Sequence, residues 1–208
     1  MKDENLKHLK GTTTVGLVCK DGVILATDTR ATAGYLIASK CARKIYKITD
    51  GIAVTVAGSV GDSQGLVRML RAEANYYRIS EGVPMSVKAA AKLTANIMHE
   101  YRLFPYLALL IVAGMDNSGP SLYLVSFDGS MMEETKVATG SGSPVAHGVL
   151  EREFKEGMRV EKALPIAARA IDAAIRRDIG TGNAVKIATV TEAGYRELSD
   201  EEIEKLIS

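Results

Sequence analysis

Two Asp-Gly turns in the first third of the chain dictate most of what it can fold into. Lys20-Asp21-Gly22 joins apolar runs at 13–19 and 23–28, and Thr49-Asp50-Gly51 joins runs at 44–48 and 52–57. An Asp-Gly pair supplies the backbone twist that a tight hairpin needs, so each set reads as two antiparallel strands. The pattern then changes period. Beyond Gly58-Ser59-Val60-Gly61-Asp62, apolar residues recur at Leu66, Leu70, Ala74 and Tyr77, the spacing of one helix face. Gly82-Val83-Pro84 breaks that helix. Ser86 is placed to cap a second, whose stripe includes Val87, Ala90, Ala91, Thr94, Ile97 and Met98.

Strand character returns at 108–114 and 122–127, around the turn-rich Asp116-Asn117-Ser118-Gly119-Pro120. Ser143-Pro144 predicts a third helix, with Ser143 as its cap and proline at the first helical position. The stripe Ala163, Ala167, Ala168, Ile171, Ala174 and Ile175 predicts a fourth over 160–177, and 185–191 reads as a late strand. Ser199-Asp200-Glu201-Glu202 has the form of a capping box opening a short terminal helix. Strands and helices thus come in separate blocks. That order predicts an α+β fold, with antiparallel sheets stacked between helical layers, and argues against a βαβ repeat. The chain has 208 residues and no repeat, linker or low-complexity tract, so a single domain is expected.

Composition excludes several function classes. Lys and Arg number 26 against 25 Asp and Glu, which leaves no basic surplus for nucleic acid. No apolar run is long enough to span a bilayer as a helix. Cys19 and Cys41 have neither metal-ligand spacing nor the density of a disulfide scaffold, so reduced thiols and a cytoplasmic location are expected. His8, His99 and His147 form no catalytic or zinc pattern, and no glycine-rich stretch carries the Gly-Lys-Ser/Thr of a phosphate loop. Neither cofactor nor metal is expected.

The candidate chemistry lies where a charged stub, residues 1–11, meets the first strand at Gly11-Thr12-Thr13-Thr14. A threonine hydroxyl is a poor nucleophile without a base. Cutting the Gly11–Thr12 bond would give Thr12 an α-amino group beside its own Oγ. By itself, a threonine-rich strand start is far more often structural. The later residues decide: Asp28-Thr29-Arg30-Ala31-Thr32 ends the second strand, Lys44 opens the next, and Gly58-Ser59-Val60-Gly61-Asp62 follows the fourth. Gly140-Ser141-Gly142-Ser143 and Arg177-Asp178-Ile179-Gly180-Thr181-Gly182 come later. From Thr12 onward this order resembles a proteasome β-subunit of the archaeal type.

The resemblance implies a four-layer αββα sandwich of the N-terminal-nucleophile hydrolase class and a threonine endopeptidase. It implies a propeptide, residues 1–11, removed by self-cleavage between Gly11 and Thr12, and a mature domain of residues 12–208. The expected partners are α-subunits and other β-subunits in stacked heptameric rings, an ATPase cap, and unfolded polypeptide as substrate. Matched residue by residue, Thr12 is the nucleophile and its amine the base. Lys44 disfavours protonation of that amine, and Asp28 neutralises the lysine. Ser141 and Asp178 position a water around the amine, with Thr181 in support, and the Gly58 N–H stabilises the oxyanion. Thr32 and Gly58 bind substrate as an added strand. Ala31, Cys41, Val56 and Val60 form a pocket whose apolar lining implies cleavage after hydrophobic residues.

The chain departs from the family pattern at Thr181, where serine is more usual, and at Gly182-Asn183-Ala184, where Gly-Asp-Gly is more usual. Two alternatives stand beside the peptidase. One is an uncleaved structural β-subunit of a mixed ring. The other is an amidase of the same fold acting on small amides.

Overall fold

A computed structural model describes residues 11–207; the proposed propeptide, apart from Gly11, lies outside the described residues. In chain order, strands β1 (Thr13–Cys19) and β2 (Gly22–Asp28) form the first hairpin, and β3 (Ala31–Ala33) and β4 (Leu36–Ser39) a second, short one. Next come β5 (Ile45–Lys47), β6 (Ile52–Gly58) and the helices α1 (Val60–Glu81) and α2 (Val87–Glu100). Strands β7 (Ala108–Asp116), β8 (Gly119–Val125), β9 (Met131–Glu133) and β10 (Lys136–Gly140) follow, then helices α3 (Ser143–Glu153) and α4 (Val160–Arg177). Strands β11 (Val185–Thr191) and β12 (Gly194–Glu197) and helix α5 (Asp200–Ile207) complete the described chain.

Two five-stranded antiparallel sheets result, in the orders β10-β1-β2-β11-β12 and β5-β6-β7-β8-β9. Three apolar clusters stack them into four layers. Val15, Leu17, Ile24 and Ile187 of the first sheet pack under Ala163, Ala167, Ile171 and Leu150 of α3 and α4. Val54, Val56, Leu110 and Val112 of the second sheet pack under Leu66, Leu70, Ala91 and Met98 of α1 and α2. Val23, Leu25, Ile111 and Leu122 fill the space between the sheets. Each strand alternates between the two faces, so β1 and β2 carry apolar residues on both, as a sheet buried on both sides requires. This is the αββα arrangement expected from the blocks of strands and helices.

The helix ends follow local chemistry. Ser59 and Ser86 each accept a backbone N–H, from Asp62 and Ala89, at the starts of α1 and α2. Ser199 and Glu202 exchange bonds across the start of α5, the reciprocal pair of a capping box. The start of α3 differs from expectation. Gly142 is its cap, and Ser143 and Pro144 are the first two helical residues, with no side-chain cap bond. The short strands β3, β4, β9, β10 and β12 also lie beyond the sequence reading. With three to five residues each, they show no clear period of two. Among the described residues, no helix is long and apolar enough to cross a membrane.

Candidate active site

Thr12 stands immediately ahead of β1, which is paired on one side with β10 and on the other with β2. It is buried, and its Oγ1 donates to the carbonyl oxygen of Gly11 at 2.6 Å. The peptide bond ahead of Thr12 thus has the threonine hydroxyl on its own carbonyl. Gly11 has φ +114°, and a Cβ placed there would lie 2.1 Å from Thr32 Oγ1 on β3. Only glycine fits both the backbone conformation and the approach.

Asp28 ends β2 and is 0% exposed. Its Oδ1 accepts from Thr13 N at 3.0 Å and from Lys44 Nζ at 2.7 Å. Its Oδ2 accepts from Arg30 N at 3.0 Å and Gly182 N at 2.9 Å. Four donors, one of them charged, hold a carboxylate that is buried from bulk solvent. Lys44, 6% exposed, is correspondingly paired. Burial pushes its ammonium below the ordinary lysine range, and the Asp28 charge opposes that push. The Lys44 carbonyl accepts from Val56 N at 3.0 Å, which ties the lysine to β6, whose last residue is Gly58.

A second group of hydroxyls surrounds Asp178, the C-cap of α4. Ser141 Oγ and Thr181 Oγ1 each donate to Asp178 Oδ2, both at 2.5 Å. Thr181 has one hydroxyl proton, already given to the carboxylate, so the 2.6 Å contact between Thr13 Oγ1 and Thr181 Oγ1 has Thr13 as donor. Ser141 Oγ in turn accepts from Gly11 N at 3.3 Å. Thr12, Asp28, Lys44, Ser141, Asp178 and Thr181 therefore belong to one connected set, joined through Gly11 and Thr13.

The four specificity candidates are more dispersed. Val56 is buried on β6, Ala31 is half-buried on β3, and Val60 is 52% exposed at the start of α1. Cys41 is exposed and lines a cavity of about 400 Å³ with Thr27, Thr29, Lys44 and Ile187; Ala31, Val56 and Val60 do not line it. Sequence reasoning assigned no role to Thr13, Arg30 or Gly182. The Thr12-Thr13-Thr14 run and the Asp28–Thr32 run contained two of them, but the partners of their side chains, Thr181, Ile179 and Asn183, lie more than a hundred residues away in sequence and leave no local signal. Among the described residues no group of three or more His, Cys, Asp or Glu could hold a metal.

A buried threonine hydroxyl on the preceding carbonyl, beside a paired lysine and carboxylate, suits acyl transfer through a nucleophilic hydroxyl. The fold that carries it is the four-layer sandwich of N-terminal-nucleophile hydrolases. A family profile described as proteasome subunit matches residues 8–190. The chain is 50% identical over 202 residues to the proteasome subunit beta of Ferroglobus placidus, covering 97% of this chain and 96% of that one. It is 51% identical over 201 residues to that of Methanocaldococcus vulcanius, covering 96% and 90%. It is 48% identical over 208 residues to that of Methanothermobacter thermautotrophicus, covering 100% and 98%. The chain belongs to the proteasome subunit family, on the β side, with the peptidase role of that class.

Proposed function

We propose that the chain is a threonine endopeptidase which activates itself by cutting Gly11–Thr12 and then hydrolyses unfolded polypeptide inside the proteasome core. The contact of Thr12 Oγ1 with the Gly11 carbonyl oxygen carries this reading. In the precursor, Oγ attacks the Gly11 carbonyl carbon and the amide nitrogen of Thr12 leaves. The resulting ester is hydrolysed, which releases residues 1–11 and leaves residues 12–208 with a free amine.

In the mature subunit that amine takes the Oγ proton through a water, and Oγ attacks the scissile carbonyl carbon. The Gly58 N–H stabilises the oxyanion, a contribution whose loss typically costs on the order of 10²–10³ in rate. The proton passes to the leaving amine, and water then hydrolyses the acyl ester. A free α-amine titrates at about 7.7–8.0, so a nearby ammonium need lower it only slightly to supply a base at neutral pH. Lys44, held by Asp28, is that ammonium. Ser141 and Asp178, backed by Thr181, orient the amine and the water.

Thr32 and Gly58 take the substrate as an added strand, a mode that reads backbone more than sequence. Ala31, Cys41, Val56 and Val60 favour apolar side chains at the cleavage position, completed by a neighbouring subunit. The working particle is a stack of heptameric β-rings between α-rings in the cytoplasm, fed by an ATPase cap.

The test is the intact mass of the chain after co-assembly with its α-subunits, with peptide hydrolysis measured on the same particles. Loss of residues 1–11, blocked by Thr12→Ala together with hydrolysis, is the expected result. Full-length chain in assembled particles, or hydrolysis that survives Thr12→Ala, would overturn the reading.

A further inference from the structure

Asp178 and Asp28 sit on parts of the chain far apart in sequence, and something must fix their separation. The loop of residues 178–184 is tied to the end of β2 by backbone bonds at its far half. Gly182 N reaches Asp28 Oδ2 at 2.9 Å, Thr29 N reaches Gly182 O at 3.2 Å, and Ala184 N reaches Thr29 Oγ1 at 3.1 Å. The near half, with Asp178 itself, extends from α4, where Asp178 N donates to Ala174 O.

Arg30 spans this gap. Its backbone N–H holds Asp28 Oδ2, while its side chain crosses to the loop. Nη1 donates to Ile179 O at 2.8 Å and Nε to Asn183 Oδ1 at 3.1 Å. A Cβ on Gly182 would lie 2.2 Å from Arg30 Cζ, so the guanidinium lies flat against bare backbone. Asn183 has φ +76°, and among the described residues no other non-glycine has a positive φ. Asparagine tolerates that region better than most residues, and here its side chain also meets the arginine.

We propose that Arg30 is a positioning residue of the peptidase site, clamping the Asp178 loop to the Asp28 end of β2, with Asn183 setting the grip. This rests on the reading of Thr12 as nucleophile. The guanidinium suits the task because its planar fork meets two acceptors in fixed directions, which a lysine ammonium does not reproduce. Its charge also disfavours the Lys44 ammonium, so the clamp and the lysine are coupled electrostatically as well as through Asp28.

The test uses particles co-assembled with α-subunits and a fluorogenic peptide. Arg30→Ala is expected to lower kcat roughly 10- to 100-fold, the scale of a small misplacement of catalytic groups, with KM unchanged because the Arg30 side chain is spent on Ile179 and Asn183. Arg30→Lys stays impaired, and added guanidinium ion restores part of the Arg30→Ala rate. Asn183→Gly tolerates the same positive φ and removes the side chain whose Oδ1 meets Arg30, and lowers kcat less than Arg30→Ala does. Unchanged kcat in both Arg30→Ala and Asn183→Gly, or a loss confined to KM, overturns the clamp. If Arg30→Ala does not assemble, Asn183→Gly decides alone: lowered kcat supports the clamp and unchanged kcat overturns it. Thr12→Ala separates the two readings. Inactive Thr12→Ala beside fully active clamp variants removes the clamp alone. Active Thr12→Ala removes the peptidase reading and the clamp with it.

Discussion

Asp28 and Asp178 are two carboxylates gripped near one threonine, and they are held in opposite ways. Asp28 is wholly buried at the end of a strand, fixed by three backbone N–H groups and one ammonium. Asp178 is half-buried at the end of α4, where two hydroxyls donate to one of its carboxylate oxygens. Backbone donors cannot rotate away, whereas hydroxyls turn to follow whatever proton moves. The first carboxylate is therefore part of the frame, and the second is suited to an arrangement that rearranges its hydrogen bonds during a reaction.

The largest effect expected from this difference is on Asp28→Asn. It leaves Lys44 buried without a counter-charge and turns one oxygen into a donor facing N–H groups. Breaking a buried pair from one side typically costs about 3–5 kcal/mol. Thermal unfolding and particle yield should both fall sharply, and a stable Asp28→Asn subunit would break the comparison. Lys44→Met should be milder for folding, because Asp28 retains three backbone N–H donors that support its charge. Its peptidase activity should nonetheless fall by roughly 10²–10⁴, the usual scale for losing a group that governs proton transfer.

Asp178→Asn ranks next. The amide oxygen still accepts a hydroxyl, so the melting temperature should hardly move while peptide hydrolysis slows by roughly 10²-fold through misplaced donors. Equal destabilisation by Asp28→Asn and Asp178→Asn would erase the distinction between frame and adjustable site.

The smallest effect is on the alkaline side. Burial lowers the Lys44 pKa below its ordinary 10.5, so the unfolded chain binds more protons than the folded one between the folded value and 10.5. This residue's contribution to stability therefore rises with pH across that window. Denaturant unfolding over the same range should lose that slope in Lys44→Met and keep it in Asp178→Asn.

The sequence made much of this visible and hid the rest for physical reasons. The strands β1, β2, β6, β7 and β11 and the helices α1, α2, α4 and α5 announce themselves through Asp-Gly turns, serine caps and stripes of period 3.6. The β3–β4 hairpin does not, since its strands are short and largely exposed and carry no alternation. Ser143 misled because serine before proline has the composition of a cap, and only the backbone at Gly142 reveals where the helix begins. Thr12, Asp28, Lys44, Ser141 and Asp178 were singled out together through the family resemblance, and the structure joins them through one run of hydrogen bonds. The bond from Gly182 N to Asp28 was not, because a backbone donor bears no residue signature and 154 positions separate the two.

The register of β1 has a further meaning. Its ladder pairs begin at Thr13 with Gly140 and at Thr14 with Thr27, and among the described residues none involves a position before Thr13. Severing the chain at Thr12 thus removes no rung. Under the proposed cleavage, the new terminus would stand at the head of a strand already sewn in on both sides, with both ladders of β1 left whole.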